Sequence, residues 1–269
     1  MPQPISKWQN VWITGASTGI GREVALRLAR AGTTVAASAR SSDKLAELAE
    51  LEPNIKPYPL DVTDHDGVMK TAEKIKQEVG PLDLVLLNAG TYISKRADQD
   101  FQAKDCTHTM AINYNGVTSG VEAVLGDMLK ADRGHIAIVA SVAGFRGLPR
   151  ATSYSPTKAA LIAFGEALAL DLTETKIKLS VINPGFVDTP LTAQNDFPMP
   201  FIISSDEAAA LIIKGLEREK FDITFPRRMK WLMNFMRVIP NWLYFSISKI
   251  LVRQQRAAQL ARQANLKGD

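Results

Sequence analysis

A glycine-rich stretch, TGASTGIG at residues 14–21, lies between an apolar segment and a helical one. The apolar segment NVWIT (10–14) has the composition of a buried strand, and the helical segment IGREVALRLARAG ends at Gly32. Where a strand turns into a helix, glycines let the backbone approach a phosphate, and the helix offers free N–H groups and its positive dipole end. The stretch therefore predicts a nucleotide phosphate site, with a plain glycine turn as the alternative.

Short apolar runs alternate with helical patterns along most of the chain. Strands are predicted at 10–14, 33–39, 55–62, 82–90, 134–144, 177–185 and 221–225. Helices are predicted at 20–32, 42–51, 64–79, 98–130 and 152–174. A further helix is predicted after a capping box formed by Ser204 and Glu207. This alternation predicts a single α/β domain of the doubly wound Rossmann type, with a parallel sheet covered on both faces. We assign residues 1–226 to this domain and 227–269 to a tail.

Charge is unevenly distributed between these two parts. Residues 226–269 hold nine Lys or Arg and one acidic residue, a net charge of +8, whereas the remainder has a net charge of −4. The pI of about 9.1 therefore reflects the tail, and we expect no nucleic-acid partner.

The cysteine and histidine content argues against disulfides and zinc. The single cysteine, Cys106, has no partner for an internal disulfide, and with three histidines we assign no metal site. The N-terminal stretch MPQPISKWQNVWITG lacks the pattern of a signal peptide, so we expect a cytoplasmic protein.

The end of the second predicted strand, AASARSS (36–42), bears on nucleotide choice. In NAD-binding folds an Asp or Glu about twenty residues past the glycines accepts the ribose 2′-hydroxyl. This sequence offers Ser38, Ala39 and Arg40 instead, and the planar guanidinium of Arg40 can pair with a 2′-phosphate. The stretch indicates NADP(H) rather than NAD(H), with a solvated surface arginine as the alternative.

A tyrosine and a lysine four residues apart, Tyr154 and Lys158 in YSPTK, form a candidate proton donor. On a helix, residues i and i+4 share a face at roughly 5–6 Å. A free tyrosine titrates at about pH 10, and a neighbouring ammonium group favours the phenolate. We therefore expect Lys158 to lower the pKa of Tyr154. Many helices carry this spacing by chance, so the pair alone does not establish a site.

Seven short motifs follow one another between residues 14 and 190. They are TGASTGIG, LDV (60–62), LNAG (87–90), IN with Asn113, VASVAG (139–144) with Ser141, YSPTK and NPGFVDTP (183–190). In this order, with Ser141 thirteen residues before Tyr154, they resemble the short-chain dehydrogenase/reductase family. At Leu87 the family often has asparagine, but Asn88 is retained.

The resemblance implies a catalytic set made of Asn113, Ser141, Tyr154 and Lys158. In the family the tyrosine is the general acid/base, and the lysine lowers its pKa and holds the nicotinamide ribose. The serine orients the substrate carbonyl, and the asparagine holds a water of the proton relay. By this resemblance Tyr154 protonates a carbonyl oxygen while NADPH delivers a hydride to the carbon.

The resemblance also implies which residues contact the cofactor, to which Arg40 is added from the reasoning above. The glycine turn contributes Gly15, Ser17, Thr18, Gly19, Ile20 and Gly21. Later segments contribute Asp61, Val62, Asn88, Ala89, Gly90, Tyr154, Lys158, Pro184, Gly185, Val187 and Thr189. For Val62 and Val187 the alternative is a purely structural role in the core, and for Thr189 it is a helix cap.

These features predict an NADP(H)-dependent oxidoreductase acting on a small-molecule carbonyl or alcohol. Two other classes stay open, a non-catalytic nucleotide-binding regulator and a membrane-docked scaffold. The complete catalytic set argues against the regulator, since a sensor needs no proton relay. The resemblance further implies a homodimer or homotetramer built on the helices around 107–130 and 152–174.

The tail segment 227–256 is rich in aromatic and aliphatic residues with basic ones interleaved. Residues 231–252 are long enough to span a bilayer, but polar residues, charges and Pro240 interrupt them, so we expect no span. Two amphipathic helices are predicted, with apolar stripes at Leu232, Phe235, Met236 and Ile239 and at Leu243, Ile247, Ile250 and Leu251. They either rest peripherally on an anionic membrane or cover the substrate cleft of their own domain or of a subunit.

A predicted lid, DTPLTAQNDFPMPFII at 188–203, precedes the capped helix. Its apolar side chains and three prolines suit a cover over a hydrophobic substrate. This expectation comes from composition alone.

Overall fold

The structure is a computed structural model that describes residues 7–195, 197–250 and 252–253. Its main strands are β1 (Asn10–Thr14), β2 (Thr34–Ala39), β3 (Ile55–Pro59), β4 (Leu84–Leu87), β5 (His135–Val139), β6 (Lys178–Pro184) and, after two short strands, β9 (Asp222–Phe225). Within the described residues they form a seven-stranded sheet in the order β3-β2-β1-β4-β5-β6-β9, parallel throughout.

The strand order reverses direction between β1 and β4, which pair side by side at the middle of the sheet. In open parallel sheets such a reversal opens a crevice beyond the carboxyl ends of the strands, where ligands bind. The glycine turn follows β1, and the LNAG motif ends β4. The topology therefore brings these two motifs to the same crevice.

Helices cover both faces of the sheet. They are α1 (Gly19–Arg30), α2 (Ser42–Leu51), α3 (His65–Glu78), α4 (Ala103–Met110), α5 (Gly116–Ala131), α6 (Ser155–Asp171), α7 (Ser205–Glu217) and α8 (Arg227–Val238). A π-helical segment (Ala111–Asn115) joins α4 to α5, a 3₁₀ turn (Val142–Gly144) follows β5, and residues 241–250 are helical.

Alternating side chains of each strand supply two separate hydrophobic cores. Val11 and Ile13 of β1 pack with α1, α2 and α7 on one face, whereas Trp12 packs with α3, α5 and α6 on the other. Both faces of the sheet are buried, which is why the strands read as nearly continuous apolar runs. The predicted doubly wound Rossmann-type fold is confirmed.

The start of α7 follows its sequence signal. The Ser204 hydroxyl accepts a hydrogen bond from the Glu207 amide at 3.1 Å, so the predicted N-cap is present. Ser204 also belongs to a short ladder in which β7 (Val187–Asp188) pairs with β8 (Ile203–Ser204). This ladder ties together the two ends of the predicted lid, in which residue 196 lies outside the described residues.

The C-terminal helices pack against the domain. Met229 and Met233 of α8 are buried in a third cluster with Val142 of the 3₁₀ turn. Farther on, the Tyr244 hydroxyl donates a hydrogen bond to the Gly147 carbonyl. The division of the chain at residue 226 stays a prediction, and Leu251 and residues 254–269 lie outside the described part of the chain.

Candidate active site

The glycine turn has the backbone geometry that only glycine adopts at low cost. Gly15 and Gly19 have φ values of +67° and +57°, in the left-handed region. A Cβ on Gly21 would lie 2.4 Å from the Gly15 carbonyl oxygen, so α1 approaches the turn closely. Thr18 is the N-cap residue of α1, but its side chain makes no capping hydrogen bond. The first N–H groups of the helix are therefore available to an anion.

Asn88 holds this turn from the neighbouring strand. Its Nδ2 atom donates to the carbonyls of Thr14 and Gly15, each at 3.1 Å. In return, the Thr14 hydroxyl accepts hydrogen bonds from the backbone amides of Asn88 and Ala89. The two predicted motifs are thus locked together across the crevice.

The end of β2 leaves Arg40 as its accessible polar side chain. Ser38 is fully buried, and its hydroxyl accepts a 2.9 Å hydrogen bond from the Trp12 indole, whereas Arg40 is exposed. Hydrogen bonds from Thr63 lower the pKa of Asp61, and the positive charge of Arg40 makes a smaller contribution in the same direction. Arg40 and Asp61 therefore border the same surface.

Val62, next to Asp61, packs against α5. A Cβ on Gly116 would lie 2.8 Å from a methyl carbon of Val62, so the absence of a side chain at Gly116 gives Val62 its position. Arg40, which follows β2, and Asp61 and Val62, which follow β3, therefore lie on the same side of the crevice.

Asn113 lies in the π-helical segment and is fully buried. Its Oδ1 atom accepts from the Thr91 amide at 2.7 Å, and its Nδ2 atom donates to the Thr91 carbonyl and the Thr157 hydroxyl. A π segment inserts a residue into a helix and often marks a functional site. These hydrogen bonds connect the π-helical segment to the loop after Gly90 and to the start of α6.

Ser141, Tyr154 and Lys158 converge beyond the end of β5. The Ser141 hydroxyl accepts from the Ala143 amide at 3.1 Å and donates to the Pro184 carbonyl at 3.4 Å. Lys158 is 3% exposed; its Nζ atom donates to the Val139 carbonyl at 2.8 Å and lies 5.6 Å from the Tyr154 ring centroid. The helix spacing does bring tyrosine and lysine to one face.

The expected pKa shift of Tyr154 is wrong for this structure. Tyr154 is partly accessible through the cavities it lines, but protein crowds its hydroxyl, and burial raises its pKa to about 12. The Ser141 side chain acts in the opposite direction, and the nearby Tyr92 adds to the increase. The lowered pKa belongs to Lys158, about 7, because burial disfavours its charged form. At neutral pH the phenol is therefore protonated and able to donate.

The NPGFVDTP motif forms the wall opposite α1. Val187 is buried in β7, and Thr189 faces the glycine turn, since a Cβ on Gly19 would lie 3.0 Å from the Thr189 methyl. The Thr192 hydroxyl donates to the Val187 carbonyl at 2.6 Å, which stabilises the turn. The Gly185 amide donates to the Phe225 carbonyl at 2.7 Å.

Two cavities meet at Tyr154. The smaller, of about 110 Å³, is lined by predicted cofactor residues: Ile20, Asn88, Gly90, Lys158, Pro184, Gly185, Val187 and Thr189. The larger, of about 330 Å³, is lined mostly by apolar side chains of the 148–151 loop, the lid and α8. Tyr154 and Ser141 line both. A group in one cavity and a molecule in the other would thus meet beside the phenol.

The C-terminal helices close one side of the larger cavity. Met229, Met233 and Met236 line it from α8, and Tyr244 and Ile247 line it from the following helix. Of the two expectations for the tail, packing over its own cleft is therefore observed for the described residues. No helix among the described residues has the length and hydropathy needed to cross a bilayer.

Several residues of the site were not predicted from the sequence. Tyr92 packs edge-on against Tyr154 with ring centroids 5.1 Å apart, and the Gln194 side chain donates to the Tyr92 carbonyl at 3.0 Å. Thr157 hydrogen-bonds to Asn113. Tyr92 falls outside the motifs, and Gln194 was covered only by the predicted lid as a whole, whereas Thr157 lies within YSPTK and was identifiable as a candidate.

Comparisons with known proteins agree with this architecture, which is that of dinucleotide-binding enzymes. The family model described as short chain dehydrogenase matches residues 9–198. An uncharacterized oxidoreductase of Myxococcus xanthus (strain DK1622) is 36% identical over 251 residues, covering 91% of this chain and 98% of the relative. One of Staphylococcus saprophyticus is 34% identical over 212 residues, covering 77% and 90%. The chain belongs to the short-chain dehydrogenase/reductase family and is an oxidoreductase.

Solved structures share the fold. A short-chain dehydrogenase/reductase of Burkholderia phymatum in complex with NAD superposes with a TM-score of 0.78 at 21% identity, covering 87% of this chain and 93% of the other. A short-chain dehydrogenase of Burkholderia cenocepacia J2315 in complex with NADP gives 0.78 at 22% identity, covering 90% and 98%. An alcohol dehydrogenase of Thermococcus sibiricus, complexed with 5-hydroxy-NADP, gives 0.73 at 25% identity, covering 81% and 95%.

Proposed function

We propose that the chain transfers a hydride between NADP(H) and a carbonyl or alcohol substrate with an apolar body. The observation that carries this proposal is the position of Tyr154 and Ser141 at the junction of the two cavities. A hydride donor and a carbonyl must meet next to an acid that protonates the oxygen. The nucleotide end would occupy the smaller cavity and the substrate the larger one.

The residues present fit a dinucleotide. The glycines with positive φ and the uncapped start of α1 suit its pyrophosphate, and the Asn88–Gly15 hydrogen bond keeps the turn in shape. Lys158 lines the smaller cavity, where it would hydrogen-bond to a ribose hydroxyl. When bound, the nicotinamide supplies a hydride to the carbonyl carbon or accepts one from an alcohol carbon.

The choice of NADP(H) rests on Arg40. Similar structures are complexed with NAD in one case and NADP in another, so fold likeness leaves both nucleotides open. Arg40 is exposed beside Asp61, and no carboxylate replaces it at the end of β2. A guanidinium there favours a 2′-phosphate and gives a 2′-hydroxyl no acceptor.

Three members of the catalytic set take part in moving the proton, and Asn113 positions the segments around them. Tyr154 donates its phenolic proton to the substrate oxygen in reduction, and Ser141 hydrogen-bonds to that oxygen as it becomes anionic. Lys158, with its pKa lowered to about 7, gains or loses a proton near neutrality, so it can help restore the tyrosine proton. Asn113 keeps the loop after Gly90 and the start of α6 in register.

The substrate class follows from the larger cavity. Side chains such as Leu148, Phe186, Phe197 and Met233 give it an apolar wall, and residues of the predicted lid form part of it. An apolar cavity with a few polar groups at one end binds a hydrophobic molecule and orients its reactive group. We therefore propose a hydrophobic carbonyl or alcohol, with residues 188–203 as its cover.

Tyr154→Phe tests the catalytic assignment. The variant removes the acid while leaving the ring, so turnover should fall by about 10²–10⁴-fold. NADPH binding, followed by nucleotide fluorescence, should remain largely intact. Tyr114→Phe is the matched control, because Tyr114 packs on Phe164 away from both cavities. If Tyr154→Phe turns over a hydrophobic carbonyl as fast as this control does, the proposed mechanism is wrong.

Arg40→Asp tests the nucleotide preference. Losing a charge-assisted hydrogen bond worth about 1.5–3 kcal/mol should weaken NADPH binding by roughly 10- to 100-fold and leave NADH binding unchanged or improved. Arg133→Asp is the control, since Arg133 is exposed and precedes β5 at the amino end of that strand, whereas Arg40 follows the carboxyl end of β2. Equal weakening of both nucleotides, or a wild-type preference for NADH, would remove Arg40 from this role.

A further inference from the structure

Large exposed apolar side chains concentrate on the two C-terminal helices. Outside the cavity lining they are Trp231, Phe235, Val238, Trp242, Phe245 and Ile250, each between 55% and 77% exposed. We call this set the C-terminal apolar face. An exposed apolar surface of this kind on a globular protein marks an interaction site.

Each helix divides into an inner and an outer side. In α8, Met229 and Met233 are buried against the domain, whereas Trp231, Phe235 and Val238 follow a helical spacing on the exposed side. In the next helix, Tyr244 is 5% exposed and Trp242 70%. The inner sides are used by the cavity, so the outer sides need a separate explanation.

Charge distinguishes among the partners that could cover this face. Arg227, Arg228, Arg237 and Lys249 are exposed on the same two helices, and Arg253 is exposed just after them. From residue 227 to residue 253 the sequence has no Asp or Glu, and Lys230 pairs with Asp222, which lies outside this segment. A symmetric contact with a second copy would oppose two cationic faces, which costs free energy. An anionic surface is complementary.

We propose that the C-terminal apolar face docks on an anionic lipid surface. Tryptophan and phenylalanine side chains favour the boundary between headgroups and acyl chains, and flanking Lys and Arg are attracted to anionic lipid. Both kinds of residue are present on these two helices, and in the described part of the chain no helix is long and apolar enough to cross a bilayer. The docking that we propose is peripheral.

The face adjoins the entrance of the larger cavity. Leu232 lines that cavity and is also 41% exposed, so it lies at the boundary between cavity and surface. A hydrophobic substrate would then pass from the lipid to Tyr154 without crossing water. This consequence rests on the proposed function, whereas the docking itself does not.

The tryptophans provide a direct readout in the full-length protein. Trp8 and Trp12 are buried at 4% and 0% exposure, while Trp231 and Trp242 are 74% and 70% exposed. Vesicles of equal parts phosphatidylcholine and phosphatidylglycerol should shift the emission to the blue, and brominated acyl chains should quench it. The protein should float with these vesicles and not with phosphatidylcholine alone.

Paired variants separate the apolar and the charged contributions. Trp231→Ser with Trp242→Ser should abolish flotation, and Leu170→Ser, at an equally exposed site on α6, should not. Arg227→Gln with Lys249→Gln should lower the partition coefficient by about fivefold for each charge removed. Lys130→Gln with Lys214→Gln is the charge-matched control, because both lysines are exposed elsewhere.

The other outcomes overturn the proposal. Failure to float with either vesicle, or equal flotation of the tryptophan variant, removes the lipid surface as partner. A blue shift that grows with protein concentration without vesicles identifies a second copy. A blue-shifted emission that becomes red-shifted when residues 254–269 are deleted identifies that segment as the cover. NADPH titration in the absence of vesicles, run in parallel, tests the proposed function independently.

Discussion

Gly21→Ala is the substitution for which the structure makes the sharpest prediction. The added Cβ would lie 2.4 Å from the Gly15 carbonyl oxygen and 2.5 Å from Nδ2 of Asn88, distances that real contacts do not reach. Neither neighbour is a flexible side-chain end. The carbonyl is backbone, and the Asn88 amide is held by hydrogen bonds to Thr14 and Gly15. Either α1 moves away or the glycine turn deforms.

The size of the effect follows from three contributions. Overpacking costs about 1–3 kcal/mol. Loss of one Asn88 hydrogen bond costs about 0.5–1.5 kcal/mol. The better helix propensity of alanine returns at most about 1 kcal/mol. We therefore expect the free energy of unfolding to fall by about 0.5–4.5 kcal/mol and NADPH binding to weaken more than stability alone would explain.

Gly126→Ala is the matched control for this experiment. Gly126 lies within α5, and a Cβ there would meet nothing within 4 Å. The control gains the same helix propensity without the steric cost, so it should be up to about 1 kcal/mol more stable than the wild type. Urea denaturation and NADPH fluorescence titration measure both variants. If Gly21→Ala matches the control in stability and binds NADPH normally, the close-packing argument fails.

Two further predictions concern stability. Burial lowers the pKa of His135 to about 4, so between pH 6.5 and pH 4 the unfolded chain binds a proton that the folded chain does not. The free energy of unfolding should therefore fall by about 3 kcal/mol as the pH is lowered from 6.5 to 4. In urea denaturation, His135→Asn should show a smaller change in stability over this pH range. Ser204→Ala should cost about 1 kcal/mol by loss of its N-cap, whereas Ser205→Ala should cost less; equal effects would contradict the cap.

Local patterns were sufficient for the strands of the main sheet and for most of the helices. The apolar run NVWIT is β1 over the same five residues, and the helix expected at 42–51 is α2 with the same bounds. Such segments are set by short-range periodicity and by turn glycines, both of which are visible in the chain. Periodicity did not reveal the π-helical segment within 98–130, because its single inserted residue leaves the apolar pattern nearly unchanged.

The electrostatics of the candidate site could not be obtained from spacing. The four-residue interval predicts that Tyr154 and Lys158 share a helix face, and they do. It does not tell how much protein surrounds them, and desolvation depends on that surrounding protein. In the folded chain burial raises the tyrosine pKa and lowers the lysine pKa.

The sequence by itself determined the strand–helix alternation, the glycine turn and the order of the family motifs, because these depend on neighbours along the chain. The tertiary structure decided which side of each C-terminal helix is covered. Met233 is 5% exposed and Trp231 74%, although both are large apolar residues two positions apart. The difference arises because α8 packs Met233 onto the cavity wall around Tyr154, a contact between segments distant in sequence. Burial of that kind depends on the whole fold, and no local pattern contains it.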